Sequence, residues 1–127
     1  MIRTKSNKNI KVLIIDNKDD GIIVKECLSK AGFSFEYIQL EPDLITKKNI
    51  LKIAPDIVIV EVMLSLKKNG FEACKFIKEI NGSIKILLAT KHQHAVDHAR
   101  ALEAGADAHT VKTKSNKFLL ESLKKLI

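Results

Sequence analysis

Pro55-Asp56-Ile57-Val58-Ile59-Val60-Glu61 is the stretch that decides the architecture of this chain. Four consecutive β-branched residues leave no polar face, so the segment reads as a strand buried on both sides that ends on a carboxylate. Pro55 closes a weaker helical stretch that Pro42 opens and Leu44, Ile45, Leu51 and Ile53 carry. Moving outward, the pattern recurs. Val12-Leu13-Ile14-Ile15 is a second apolar run, ending at Asp16, and Ile84 to Ala89 reads as a third buried strand that runs into Thr90. After the first run, Asp19 and Asp20 suit a helix start, as caps and as charges at the positive end of the dipole. Ile23, Val24, Cys27, Leu28 and Ala31 then recur at helical spacing until Gly32 ends the helix. Phe33, Phe35 and Tyr37 alternate with Ser34 and Glu36, as in a strand with one wet face.

Beyond the central run, Asn69-Gly70 marks a turn, and Ala73, Cys74, Ile77 and Ile80 give a helix that stops at Asn81-Gly82. Ala95, Ala99, Leu102 and Ala106 give a small-residue helical face interrupted by Gly105. A short strand falls near Ala108 to Val111, and Leu119, Leu123 and Leu126 define a last helix. Five β-α units in sequence imply a parallel sheet covered by helices on both faces. The continuously apolar first, third and fourth strands belong in the centre, and the alternating second and short fifth belong at the edges. The expected fold is a flavodoxin-like (βα)5 three-layer sandwich with strand order 2-1-3-4-5. Its ligand crevice opens at the carboxyl ends of the first and third strands. Asp16 and Glu61 are the residues at those ends.

At 127 residues the chain is one domain in size, and with 46% hydrophobic and 29% charged residues it is not a disordered sequence. Its apolar runs are a handful of residues long, far short of the about 20 needed to span a bilayer. Residues 1–9 are polar and basic without an apolar stretch behind them, which does not fit a secretory signal. They read as a flexible tail ahead of a domain at 10–127. Cys27 and Cys74 fall inside helical patterns as inert, core-facing thiols, so a cytoplasmic, reduced setting is expected. The net charge of +7 comes from the ends: Arg3, Lys5, Lys8 and Lys11 at the start, and five lysines against Glu121 from residue 112 onward. With 5% aromatic residues and no tryptophan, nucleic-acid binding by base stacking is not expected. His94 and His98, four apart with His92 just before, share a helical face. Without a third ligand at known spacing they read as flanks of the small-residue stripe and not as a metal centre.

Five segments together resemble the receiver domains of bacterial two-component response regulators, over roughly residues 10 to 127. They are Lys11-Val-Leu-Ile-Ile-Asp16, Pro55-Asp-Ile-Val-Ile-Val-Glu61-Val-Met-Leu, Gly70-Phe-Glu-Ala-Cys-Lys, Ile84-Lys-Ile-Leu-Leu-Ala-Thr90, and Leu102-Glu-Ala-Gly105-Ala-Asp107 with Lys112 five residues on. The resemblance implies a carboxylate on the third strand that accepts a phosphoryl group, a divalent cation held by neighbouring acids, and a hydroxyl and a lysine that read the phosphoryl oxygens. Asp16 matches the first residue of the acidic pair, and Asn17 stands where a second acid is usual. Thr90 matches the hydroxyl and Lys112 the lysine. A magnesium site built on Asp16, Glu61 and Met63 is therefore expected to be weakened, and no cofactor is certain.

Glu61 occupies the phospho-acceptor position in place of aspartate. The extra methylene moves the carboxylate by about 1 Å or more, a misplacement that can cost about 10²-fold in rate. The longer side chain brings its oxygens toward Lys112 and Thr90, which leaves three outcomes open: partial imitation of the phosphorylated state, an inert crevice in which Glu61 neutralises Lys112, or phosphorylation of Glu61 itself with Mg2+. Three further departures point to a pseudo-receiver. Thr113 follows Lys112 where a cis proline is common, so a trans bond is expected. His109 stands at the aromatic switch position. Ser65 lies near a usual proline, in a Glu61 to Gly70 loop one residue longer than common. The expected role is signalling through protein–protein contact, with no enzymatic activity beyond slow self-phosphorylation and dephosphorylation. The implied partners are a histidine kinase, a phosphotransfer protein or an output protein, or a second copy of the chain. The face of the fourth helix, fifth strand and fifth helix would carry them through His94, His98, His109, Lys114, Lys117 and Lys124, a basic surface suited to an acidic partner. No membrane contact is expected.

Overall fold

The protein is described here by a computed structural model, over residues 10–32, 35–64, 69–91, 98–113 and 115–127. Strands β1 (Lys11–Ile15), β2 (Glu36–Leu40), β3 (Ile57–Glu61), β4 (Lys85–Thr90) and β5 (Ala108–Val111) alternate with helices α1 (Lys18–Lys30), α2 (Lys47–Ile53), α3 (Gly70–Ile80), α4 (His98–Ala104) and α5 (Lys117–Leu126). A short 3-10 turn, Pro42–Leu44, precedes α2. All strand pairs are parallel and the order is β2-β1-β3-β4-β5.

The two-residue period of the strands sorts the core into two layers. Leu13, Ile15, Val58, Val60, Ile86 and Leu88 face Ile50 of α2, Phe71, Cys74 and Ile77 of α3, and Ala101 and Ala104 of α4. Val12, Ile14, Ile57, Ile59, Leu87 and Ala89 face Val24 and Leu28 of α1 and Leu119, Leu123 and Leu126 of α5. The strands that pack on both faces are thus the uninterrupted apolar runs. At the amino edge of the sheet, Asp56 ties β3 to β1, since its carboxylate accepts the Lys11 N–H at 2.9 Å. Asp107 does the same for β4, accepting from the Ile86 N–H at 2.8 Å and from Lys78 Nζ at 2.9 Å.

Several side chains expected in the core are outside it. In α1 the buried stripe is Gly21, Val24 and Leu28, while Ile23 is 56% exposed, Cys27 is half-buried and Ala31 is exposed. Ile22, Ile23 and Val24 are consecutive on a helix, so one docking direction cannot bury all three. In α4 the buried residues are Ala101 and Ala104, and Leu102 is 68% exposed; Ala99 is exposed as well, and Ala95 is outside the described residues. That helix ends before Gly105, whose φ of +87° stops it, so Ala106 is not on its face. In α2, Ile50 is the buried anchor and Leu51 is 57% exposed. Strand β2 starts at Glu36, later than the Phe33–Tyr37 alternation suggests, and Phe33 and Ser34 lie outside the described residues. No helix among the described residues is long and apolar enough to cross a membrane.

Candidate functional site

The register of the central pair, Ile15 opposite Val60, sets Asp16 and Glu61 side by side at the carboxyl rim of the sheet. Asp16 directs Oδ1 back to the Asn17 N–H at 2.7 Å, which fixes the turn into α1. Asn17 is the N-cap of α1 but makes no side-chain cap bond, and Asp19 and Asp20 lie in the first turn as charges and not as caps. After β3 the chain is held by Val62 N–H on the Ala89 carbonyl at 3.0 Å, and it folds back so that Gly70 N–H reaches the Val62 carbonyl at 2.7 Å. Only glycine fits there, because a Cβ at residue 70 would collide with the Glu61 carbonyl oxygen. Thr90 ends β4 fully buried, and the Lys112 N–H donates to its carbonyl at 2.7 Å, delivering Lys112 to the rim.

The sheet thus brings Asp16, Glu61, Thr90 and Lys112 to one end of the fold. Lys112 Nζ donates to Asp16 Oδ2 at 2.6 Å and stands 3.1 Å from Glu61 Oε1. The side chains of the three are 9%, 3% and 3% exposed. Glu61 Oε2 accepts the Met63 N–H at 2.9 Å. Burial pushes the Asp16 carboxyl above its usual range, against the pull of Lys112. Burial also works against the Lys112 ammonium, but its hydrogen bond to Asp16 and the charges of Asp16 and Glu61 outweigh it and hold the proton more tightly than usual.

All four carboxylate oxygens therefore have donors: Asn17 N–H, Lys112, Lys112 again and Met63 N–H. Magnesium needs oxygens in near-octahedral array at about 2.0–2.1 Å. With an ammonium set between the two acids, the residues as arranged do not fit that ion. Met63 contributes its N–H to Glu61, and the residue is 50% exposed. The Lys112–Thr113 peptide is trans, and the described residues hold no cis bond. Ser65 and most of the lengthened loop fall outside the described residues.

Beside Lys112 a cleft of about 280 Å³ is lined by Asp20, Ile23, Val24, Lys91, Thr113 and Asn116. Lys91 crosses its mouth to Asp20, with Nζ 3.2 Å from Oδ2. Lys91 was not foreseen, although it directly follows Thr90 and so had to emerge at the same rim. Of the expected partner residues, His94 and Lys114 lie outside the described residues. His98 and His109 are in direct contact, with Nδ1 of the first 2.8 Å from Nε2 of the second. Lys117 and Lys124 are exposed on α5. A groove of about 620 Å³ between β5 and α5 is lined by His109, Val111, Phe118, Glu121 and Lys125, so it is Lys125 and Phe118, both unforeseen, that share it with the switch position.

A doubly wound α/β sheet with a charged crevice at its switch point defines the class of this protein. Within that class the chain belongs to the response regulator receiver domain family, whose sequence model matches residues 12–124. It is a receiver domain of two-component signalling. Among curated relatives it is 27% identical over 105 residues to the alkaline phosphatase synthesis transcriptional regulatory protein PhoP of Bacillus subtilis, covering 82% of this chain and 42% of that protein. It is 27% identical over 128 residues to the response regulator protein VraR of Staphylococcus aureus, covering 91% and 56%. The chain spans about half the length of these relatives. Its fold matches chemotaxis protein CheY4 of Vibrio cholerae with a TM-score of 0.77 at 22% identity, covering 94% and 99% of the two chains. It matches TrrA of Thermotoga maritima, a structure of that protein with Mg(2+)-BeF, with a TM-score of 0.73 at 24% identity, covering 93% and 99%.

Proposed function

We propose that this receiver is atypical: Glu61 is not phosphorylated, and the domain signals through protein–protein contact. One observation carries the reading. Both oxygens of the Glu61 carboxylate are engaged, one with Lys112 and one with the Met63 N–H, in a side chain that is 3% exposed. A carboxylate nucleophile needs an oxygen free to attack, and a metal to neutralise the incoming phosphoryl group. Here the Lys112 ammonium already pairs with both acids and offsets one of their two charges, so the crevice holds its carboxylates engaged without a phosphodonor. The partner is a signalling protein of the two-component kind, a histidine kinase, a phosphotransfer protein or an output protein, engaged in the cytoplasm. The surface offered is that of α4, β5 and α5, with His98, His109, Lys117, Lys124 and Lys125; a second copy of the chain could dock on the same surface.

The test is intact mass after incubation with magnesium and acetyl phosphate, on the native chain beside Glu61→Asp. The expected result is no uptake by the native chain. Uptake of one phosphoryl group at Glu61 would overturn the proposal and establish the alternative, an active receiver using Glu61 with Mg2+. Uptake by Glu61→Asp alone would show that Asp16, Thr90 and Lys112 still make a competent site that Glu61 silences.

A further inference from the structure

The receiver crevice makes no use of the imidazole pair on the neighbouring face. His98 lies on α4 and His109 is the second residue of β5, so helix and strand each supply one ring. Nδ1 of His98 and Nε2 of His109 face each other at 2.8 Å, with ring centroids 5.1 Å apart and the planes inclined by 60°. Two neutral rings in this pose hold one proton between them, one nitrogen donating and the other accepting. Two bonds of about 2.0–2.1 Å from imidazole nitrogens to one metal ion place those nitrogens about 2.9 Å apart at a right angle and about 3.3 Å apart at the tetrahedral angle. The observed spacing is already that of a right-angled pair.

We propose that His98 and His109 together bind a divalent transition-metal ion, copper(II) or nickel(II) ahead of zinc. The order follows from the bite. Tetragonal copper and nickel take cis nitrogens at the spacing present, whereas tetrahedral zinc needs the rings to open by about half an ångström. On binding, the shared proton moves to the other nitrogen of its own ring and both facing lone pairs turn to the ion. His98 is exposed and can rotate to do this, while His109 is set by the β5 register opposite Leu88. Among the described residues no third histidine, cysteine or carboxylate joins the pair. The ion therefore completes its shell with water, and the site is an exchangeable clip and not a closed structural centre. Two described neighbours are otherwise engaged. Arg100 of α4 is turned away over the Phe71 ring, 4.3 Å from its centroid, and the groove beside His109 holds Glu121 and Lys125, whose charges offset. An ion in this clip ties α4 to β5 on the surface assigned to partners. That consequence rests on the proposed function, but the binding itself does not.

The test uses the full chain, with copper(II) or nickel(II) added in substoichiometric steps. Histidine side-chain NMR locates the paramagnetic broadening, and calorimetry counts the ions. One ion per chain is expected, with the His98 and His109 resonances broadened first. His98→Ala and His109→Gln should each weaken binding about tenfold or more, at least what loss of an outer-shell partner costs a metal site. A His92→Ala/His94→Ala variant should bind as the native chain does. His98→Ala changes only an exposed residue, so its result does not depend on the folding of the other variant. Broadening confined to His92 and His94, or affinity in His98→Ala unchanged from native, would overturn the proposal.

Discussion

Removing the ammonium from between two buried acids is the most revealing perturbation this crevice allows. Lys112→Met keeps most of the stem and deletes the charge that Asp16 Oδ2 meets at 2.6 Å and Glu61 Oε1 at 3.1 Å. Both carboxylates are 3% exposed, so neither can recover the lost interaction from water without the rim opening. Breaking a buried pair by deleting one partner costs about 3–5 kcal/mol, because a charge is left uncompensated. Against a total stability of about 5–15 kcal/mol, that is about a fifth of the fold or more. With a urea dependence of about 1.5 kcal/mol per molar, the midpoint should fall by about 2–3 M at pH 7. The loss should shrink as the pH is lowered toward 5. Burial already raises the Asp16 carboxyl with Lys112 present, and without the ammonium it takes up a proton more readily still. Urea unfolding followed by far-UV circular dichroism at both pH values reads both effects. A midpoint change under about 0.5 M at pH 7, or a gap between variant and native that does not narrow in acid, would refute the view that one ammonium holds the two buried acids in place.

Two glycines should respond differently to alanine. At Gly70 the new Cβ meets the Glu61 carbonyl oxygen and comes within 2.8 Å of the Val62 Cα, backbone that cannot yield, so a loss of about 1–3 kcal/mol in urea unfolding is expected. At Gly21 it meets the amide end of the Gln39 side chain, which can swing aside; the gain in helix propensity, up to about 1 kcal/mol, offsets the lost Gln39 bond to the Lys18 carbonyl, and the midpoint should stay near native. Stability should fall above pH 9. Burial pushes the Cys74 thiol from 9.0 up to about 11 and the Tyr37 hydroxyl from 10.0 up to about 12, so the folded chain keeps protons that the unfolded chain releases. Urea midpoints from pH 8 to 11 should show this decline, and Cys74→Ala should flatten its first part. Asn69→Ala removes the side-chain oxygen that caps α3 by accepting the Glu72 N–H at 2.9 Å, and thermal unfolding should register a loss of about 1 kcal/mol.

Architecture was legible in the sequence because the sheet's central strands are buried on both faces and the signal for that is strong. Ile57–Glu61 and Lys11–Ile15 contain unbroken apolar runs, and the strand order followed from which runs were unbroken. The rim residues were legible for the same reason: Asp16, Glu61 and Thr90 each end such a run, and the strand register brings those ends together. The helices were harder. Their apolar residues are too numerous in α1 and too small in α4 for periodicity to choose a docking direction, so Ile23 and Leu102 were expected inward and stand outward. What no spacing encodes is side-chain pairing across elements. The Lys91–Asp20 clasp joins residues 71 apart, and the His98–His109 contact depends on how far α4 lies from β5.

The pairing of the crevice's charges explains how the fold accommodates a glutamate and an asparagine at its rim. The two apolar layers lie on either face of the sheet and include none of Asp16, Glu61 or Lys112. Stability therefore constrains the rim through one requirement alone, that buried charges and polar atoms have partners. That requirement is met: no described buried side-chain nitrogen or oxygen lacks a partner. Ionised Asp16 and Glu61 against Lys112 leave a single net negative charge, and Asn17 adds none. A second acid at residue 17 would raise that to two, and its repulsion with Asp16 would favour a divalent ion in place of the lysine. The glutamate and the asparagine thus act in the same direction. The asparagine adds no charge, and Lys112 meets both remaining acids. Restoring only the aspartate would return the reach of the acceptor while leaving the crevice one negative charge short of the two-acid arrangement.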